Sequence, residues 1–308
     1  MSDLESGLNG MKRVAVIMGG TSSEREVSLR SGAAVVEGLK AAGYDAQPVV
    51  LEQDKLEGLP ENTQVVFIAL HGGYGENGGV QADLDRLGLP YTGPGAAASR
   101  ITIDKIATKR VLEQAGVPTA PYEVLPRGVS ETTLSLPVVV KPPRDGSSVG
   151  ITKVSVANEW PAALVAAREI DAQGEVLVET YIPGREWTVG VLDDEALPVV
   201  EIQTPQGWYG FQEKYTAGVT RYAFPQTEED RPLVASCQVL ALVAFKAVGC
   251  RGVSRVDFRV TPDGQPYVLE INTVPGFTST SLLPKAAAQA GISFSALCAR
   301  LVESAACG

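Results

Sequence analysis

The feature that most constrains the fold is an apolar run, a glycine turn and an amphipathic helix in immediate succession near the start of the chain. Residues 14–18 read Val-Ala-Val-Ile-Met and run into Gly19, Gly20, Thr21, Ser22 and Ser23. A short stretch that is apolar at every position suits a strand covered on both faces. Residues 24–42 then carry apolar side chains at helical spacing, with Gly43 as the stop. The pattern recurs: 45–50 and 65–70 read as strands, the second entering His71, Gly72 and Gly73, and 81–87 reads as a helix. Such alternation predicts a parallel sheet with helices on both faces, whose ligands bind beyond the carboxyl ends of the strands. The glycine-rich turns at 19–23 and 71–79 both fall there.

Further along the chain the pattern changes. Residues 99–115 predict one helix, with Asp104, Lys105, Lys109 and Arg110 on its polar positions. A β-branched strand at 137–141 leads into a Pro, Gly and Ser-rich loop ending at Gly150, and a helix at 162–170 precedes a strand at 176–179. From 183 onward the strands read as antiparallel, at 187–192, 198–203, 255–260 and 267–271, with Pro262-Asp263-Gly264 as a hairpin turn between the last pair. Helices at 231–248 and 293–304 complete the pattern.

Charge and composition remove several classes of function. The chain has 308 residues, long enough for two domains or one large subdivided one, and 26 Lys+Arg against 36 Asp+Glu give a net charge of −10. With no basic run, nucleic acid and anionic membrane surfaces are poor partners. No stretch reaches the roughly 18 apolar residues of a membrane span. Residues 1–10 are polar and read as a disordered leader rather than a signal peptide. Cys237, Cys250, Cys298 and Cys307 show no C-x-x-C spacing, so reduced thiols are expected. His71 is the sole histidine, which excludes multi-histidine metal sites and leaves carboxylates as the metal ligands.

Two constellations carry chemistry. Gly146-Ser-Ser-Val-Gly150, preceded by Lys141, is either a plain hairpin or a cradle in which backbone N–H groups and an ammonium meet phosphate. It is not a Walker A loop. Glu270 and Asn272 are two apart and share a strand face, and an antiparallel neighbour can set Asp257 against them. These hard oxygen ligands suit Mg²⁺, although acids flanking a turn on a solvated sheet face would give the same spacing. His71, at a strand end, can equally be a simple donor to a carbonyl. Arg144 and Arg185 read as surface charges.

A family resemblance joins these pieces. The chain from Met11 onward resembles the D-alanine–D-alanine ligases of the ATP-grasp superfamily. The resemblance lies in Gly19-Gly-Thr-Ser-Ser-Glu-Arg-Glu-Val-Ser28, Ala69-Leu-His-Gly72, Tyr91-Thr-Gly93, Asp104-Lys105, Val140-Lys141-Pro142, Gly146–Gly150, Lys214-Tyr215, Arg255-Val-Asp257, Glu270-Ile-Asn-Thr-Val-Pro-Gly276 and Thr278-Ser-Thr-Ser-Leu282. It implies an α/β plus α+β architecture, the ATP-grasp fold with an N-terminal Rossmann-like parallel-sheet domain. Its lobes would be 11–95, 96–182 and 183–308, with ATP between the last two.

The resemblance also implies roles. Lys105 and Lys141 would contact the nucleotide, and Gly146, Ser148 and Val149 would fold over its phosphates. Glu179, Tyr181, Ile182 and Glu186 would hold adenine and ribose, with Lys214 also on the nucleotide. Position 180 is Thr where relatives often carry Lys. Asp257, Glu270 and Asn272 would bind two Mg²⁺, or Mn²⁺ in their place. Glu24 would receive the ammonium of the first D-alanine, with Ser147 and Tyr215 as its hydrogen-bonded partners and His71 nearby. Arg255 and the Gly276 N–H would stabilise an oxyanion, and Ser281 and Leu282 would take the second substrate's carboxylate. Residues 204–220 would form a lid.

The implied reaction makes D-alanyl-D-alanine for peptidoglycan through a D-alanyl phosphate, with ADP and phosphate released. The implied setting is a cytoplasmic homodimer, with neither nucleic acid nor membrane as partner. Two alternatives stand beside it: a D-alanine–D-lactate ligase, discriminated at Tyr215, and a nucleotide-binding relative without catalysis, which would lack Arg255 or the metal ligands.

Overall fold

The protein is described by a computed structural model over residues 12–146, 149–204, 220–278 and 280–308. Strand β1 (Arg13–Gly19) is central in a parallel sheet of order β2-β1-β3, with β2 at Asp45–Leu51 and β3 at Val65–Ile68. Its residues from Val14 onward are buried, as the unbroken apolar run requires. Helix α1 (Arg25–Ala41) covers one face through Ser28, Ser31, Gly32, Val35, Val36 and Leu39. The short α2 (Gly73–Glu76) and α3 (Gly79–Leu87) follow β3.

The N-terminal lobe is not built from its own residues alone. The helices α8 (Leu282–Gln289) and α9 (Phe294–Glu303), at the far end of the sequence, contribute Leu283, Ala287, Leu297 and Leu301 to the core that holds Val14, Val35 and Phe67. Phe277 meets Phe67 edge-on, with ring centroids 5.2 Å apart. This closure brings Val274 to His71, just past β3, and Phe277 to Ser31 of α1.

The expected helix over 99–115 is two helices, α4 (Ala96–Ile103) and α5 (Lys105–Gln114). Asp104 breaks it, taking φ −88° and ψ 101° and accepting from the N–H groups of Ile106 and Ala107. A short acidic side chain that satisfies two helix-end donors competes well with helix continuation. The middle of the chain forms an antiparallel sheet of order β4-β7-β5-β6, from β4 (Tyr122–Leu125), β5 (Val138–Lys141), β6 (Thr152–Val154) and β7 (Val176–Thr180). Helix α6 (Trp160–Ile170) packs on it through Ala163, Leu164 and Ala167.

A second antiparallel sheet, of order β11-β10-β8-β12-β13, uses β8 (Arg185–Leu192), β10 (Val200–Gln203), β11 (Arg221–Ala223), β12 (Val253–Val260) and β13 (Pro266–Asn272), with β9 (Glu195–Ala196) beside β8. Helix α7 (Asp230–Ala247) covers one face, where Cys237, Ala241 and Phe245 meet Trp187, Val256 and Phe258. The linker between β7 and β8 carries the chain from one antiparallel sheet to the other.

Candidate active site

Glu24 sits at the N-cap of α1 but its side chain does not cap the helix. A β-carbon placed at Gly72 or Gly146 would stand 3.2 or 3.6 Å from Glu24 Oε2. The turn after β3 and the candidate phosphate loop thus both approach this carboxylate with bare backbone. Nearby, His71 is buried and uses both ring nitrogens: Nδ1 lies 3.0 Å from the Val274 carbonyl and Nε2 3.0 Å from Ser31 Oγ. A carbonyl only accepts, so Nδ1 carries the proton and Nε2 accepts from the serine hydroxyl. Ser31 Oγ accepts in turn from the Phe277 N–H at 3.2 Å. Burial lowers the His71 pKa, outweighing the pull of Glu24 the other way. A neutral imidazole therefore ties the end of β3 and helix α1 to the loop that carries Gly276.

That loop is tight. A side chain at Gly276 would put its β-carbon 2.7 Å from Ser281 Oγ. Ser281 Oγ accepts from the Thr278 N–H at 3.0 Å, and Ser281 is the N-cap of α8. Leu282 is the first residue of that helix and is buried. The unsatisfied N–H groups and positive end of a helix dipole make such a start a natural carboxylate site.

On the second antiparallel sheet, Asp257 pairs in register with Glu270, and Arg255 with Asn272. The Asp257 carboxylate accepts from Arg255 Nε at 2.9 Å and Nη2 at 2.9 Å, from Asn272 Nδ2 at 2.9 Å, and from the buried Thr188 hydroxyl. Four donors fill the lone-pair capacity of one carboxylate, and the guanidinium supplies its counter-charge.

These walls share one space. A cavity of about 590 Å³ is lined by Glu24, His71, Glu76, Arg255, Glu270 and Gly276. A narrower recess beside it has Lys105, Asp145 and Gly146 on one side and Glu270 and Asn272 on the other. Lys105 is buried and its ammonium donates to the Asp145 carbonyl at the base of the loop. Arg144, expected as a surface charge, is instead bound by Asp104 at 3.0 Å, Asp171 at 3.0 Å and Glu175. It pins that base to the α5 cap. Arg185, also expected at the surface, is paired with Glu201 at 2.8 Å and with Asp230.

Several of the residues expected to meet the nucleotide lie at the other antiparallel sheet. Lys141, at the end of β5, is paired with Glu179 on β7, and Lys109 reaches the same carboxylate at 3.0 Å. Both Lys109 and Glu179 are 2% exposed in their side chains. Burial pushes the Glu179 carboxyl up, but the two ammoniums outweigh it and hold it below its usual range. Its side chain is thus shut between two lysines, and what it offers a ligand directly is backbone. Tyr181, Ile182 and Glu186 lie along the linker and the start of β8. Ser147, Ser148, Lys214, Tyr215 and nearly all of the expected lid (205–219) lie outside the described residues.

The comparisons with known proteins agree with one another. The C-terminal family model of the D-ala D-ala ligases matches residues 111–303 and the N-terminal one matches 13–56. The chain is 44% identical over 303 residues to the D-alanine–D-alanine ligase of Anaeromyxobacter dehalogenans strain 2CP-C, covering 96% of this chain and 97% of that one. The chain belongs to the D-alanine–D-alanine ligase family. The crystal structure of the Bacillus anthracis D-alanine–D-alanine ligase complexed with ATP superposes with a TM-score of 0.83 at 33% identity, over 96% of this chain and 97% of that one. Another structure of the Bacillus anthracis ligase gives 0.84 at 35% identity, with the same coverage. The expected ATP-grasp architecture, with its parallel N-terminal sheet, is borne out.

In this member of the ligase family, three residues that sequence reasoning misses are brought to the site by the fold. Glu76, on α2, lines both the cavity and the recess. Its pKa rises to about 8, through burial first and then the charges of Glu24 and Glu270. Its signal in the sequence is faint, an acid closing the glycine-rich turn after β3. Lys109, expected on a polar helix face, is buried, and its spacing of four from Lys105 is the available hint. Arg259 is buried against the β7–β8 linker, with no sequence signal beyond a charge inside an apolar strand.

Proposed function

We propose that this ligase joins two D-alanines at the expense of ATP, with Glu24, His71, Arg255, Gly276, Ser281 and Leu282 around the amino acids and Lys105, Lys141, 146–150 and 179–186 around the nucleotide. The observation that carries the reading is the single cavity of about 590 Å³ that has Glu24 on one wall and Arg255, Glu270 and Gly276 on the others. An ammonium acceptor, a guanidinium and the Gly276 loop share one space with Glu270 and Asn272 of the metal-ligand candidates. The family supplies the ligase activity, and the N-terminal, central and C-terminal lobes proposed at 11–95, 96–182 and 183–308 would supply one wall each.

The donor set fits Mg²⁺. Asp257, Glu270 and Asn272 offer two carboxylates and an amide oxygen on paired strands, a hard set that leaves room for water and phosphate oxygens. Among the described residues no group of three or more His, Cys, Asp or Glu gathers at one point, so a cation here depends on the amide and on its nucleotide. Arg255 already stands on Asp257 as a positive partner, so a cation would take the place of one of the donors on that carboxylate, and the Asn272 amide must turn over to present its oxygen. When bound, two Mg²⁺ would neutralise charge as the phosphoryl group moves.

The chain's own residues do the rest. Glu24 fixes the ammonium of the first D-alanine so that its carboxylate points toward the recess between Gly146 and Glu270. Lys105 and Lys141 hold the phosphates. Transfer of the terminal phosphoryl group to that carboxylate breaks its bond to ADP and gives an acyl phosphate. The free amine of the second D-alanine, its carboxylate at the start of α8, attacks the carbonyl carbon; Arg255 and the Gly276 N–H hold the oxyanion; phosphate leaves with its bonding electrons and takes up the proton that the amine loses. The water-excluding role is the one proposed for 204–220, and the cytoplasm and a homodimer are the setting the resemblance supports. No described helix is long and apolar enough to cross a membrane.

Phosphate release from ATP and Mg²⁺ with D-alanine tests the reading, set against L-alanine and D-lactate. D-Alanine should give one dipeptide per phosphate, and Glu24→Gln should raise KM for the first D-alanine far more than KM for ATP. A depsipeptide from D-lactate as the main product would select the D-lactate ligase instead.

A further inference from the structure

Arg259, on β12, is 5% exposed, and its guanidinium hydrogen-bonds at several points to one short segment. Its Nε donates to the Ile182 carbonyl at 3.1 Å, and Nη2 to the Gly184 carbonyl at 2.8 Å and the Tyr181 hydroxyl at 3.2 Å. Its Nη1 donates to Glu186 Oε2 at 3.1 Å. The guanidinium carbon also lies 5.5 Å from the centre of the Tyr181 ring, which Lys153 of β6 approaches to 3.7 Å. Behind the segment, Gly184 (φ +133°) leaves only 2.0 Å between a would-be β-carbon and the Val260 carbonyl, so the backbone is pressed directly against β12.

This segment is the crossing from one antiparallel sheet to the other, where a chain leaves one ladder before joining the next. Its carbonyls have to be satisfied by something else. A planar fork of five N–H donors can reach carbonyl, hydroxyl and carboxylate acceptors in several directions at once. An ammonium on a flexible stem cannot span them. Arg259 and Glu186 are also directly opposite in the β12–β8 register, so their pairing is built into the sheet.

Resting on the reading of 179–186 as the base and ribose segment, we propose that Arg259 is a positioning residue that presets this segment for the nucleotide. It acts through Tyr181, Ile182, Gly184 and Glu186, not by touching ATP. It does not line the cavity that Glu24, Arg255 and Gly276 share, so its loss should tell on the nucleotide alone.

The test measures binding of a non-hydrolysable ATP analogue with Mg²⁺ by calorimetry, and the separate KM values, in Arg259→Met, Arg259→Lys and Glu186→Gln. Arg259→Met should weaken nucleotide about tenfold, the scale expected when charged hydrogen bonds to a buried segment are lost. Arg259→Lys should weaken it less. In both, kcat at saturating ATP and KM for D-alanine should stay within about twofold. Discrimination between ATP and 2′-deoxy-ATP should shrink in Arg259→Met as it does in Glu186→Gln. Unchanged nucleotide affinity in the Arg259 variants, or equal rises in both KM values, would overturn the proposal if Glu186→Gln still weakens nucleotide. Unchanged affinity in Glu186→Gln as well would overturn the reading beneath it. If Arg259→Met shows no cooperative urea transition, Arg259→Lys decides by the same KM split.

Discussion

Glu179 and Glu76 are both carboxyl groups at the site with side chains largely out of water, 2% and 15% exposed, yet their acidities move in opposite directions. Glu179 is held below the usual range by the ammoniums of Lys109 and Lys141 against the push of burial. Glu76 rises to about 8 because burial is reinforced by the charges of Glu24 and Glu270. The nucleotide side of the molecule therefore has its cations built in. The amino-acid side has an excess of carboxylates, offset in part by Arg255, and is shaped for positive charge brought by ligands. On the proposed reading, a substrate ammonium and divalent ions would supply it.

The largest expected break in this comparison is on the carboxylate-rich side. Glu270→Gln keeps shape and removes one charge between the cavity and the recess. Turnover should fall by about a thousandfold or more, several kcal/mol of lost transition-state stabilisation, while urea unfolding stays cooperative. Phosphate release at saturating Mg²⁺ is the readout, and near-normal turnover would show that Glu270 is a charge on a sheet face.

The nucleotide side should break differently, through stability. Lys109→Met leaves Glu179 buried with one ammonium instead of two and removes the hydrogen bonds from Lys109 to Thr119 Oγ1 (2.6 Å) and the Ala120 carbonyl (3.1 Å). Glu179 keeps Lys141 as its counter-charge, so the loss should fall below the ~3–5 kcal/mol of stripping a buried charge of its only partner. Pairing it with Glu179→Gln should cost less than the sum of the two single changes, because the Lys109–Glu179 contact can be lost only once. Urea denaturation of the single and double variants measures the coupling. A double variant as unstable as the sum of the single ones would mean that the cluster is a set of independent contacts.

The sequence carried the frame of both sides and hid their charge balance. Strand β1, helix α1 and the turn between them were legible because the apolar run and the helical spacing are local. So was the facing of Asp257 and Glu270, since the two-residue period and the Pro-Asp-Gly turn fix the hairpin. The break at Asp104 was hidden because the apolar pattern runs straight through it, and only the cap bonds to Ile106 and Ala107 reveal it. Helix α8 was hidden because its buried face exists only in a core shared with strands far off in sequence, with Leu283 packed over Gly190 of β8. Lys109, Glu76 and Arg259 were beyond local reading for one shared reason. Each takes its meaning from a group far off in sequence: Glu179, Glu270 and the 181–186 linker.

The smallest effect expected is also the most direct test of the contrast between the two acids. In the unfolded chain Glu76 loses its proton near the ordinary 4.5, and in the folded protein near about 8. Between those values the unfolded state binds fewer protons, so stability falls as pH rises through the window and levels off above it. His71 contributes with the opposite slope, because its lowered pKa costs stability as pH drops below 6.5. Between pH 6.5 and about 9 the Glu76 effect therefore stands alone of the two. Glu76→Gln should flatten the wild-type decline there, with a difference on the order of 1–3 kcal/mol across the window. Glu24→Gln should shift the decline to lower pH by removing one repelling charge, and saturating D-alanine should do the same where its ammonium pairs with Glu24 and its carboxylate lies farther from Glu76. Urea midpoints across the pH range report all of these. A wild-type decline that survives in Glu76→Gln would place the titration on another group, and the two sides of the site would then differ in geometry and not in charge.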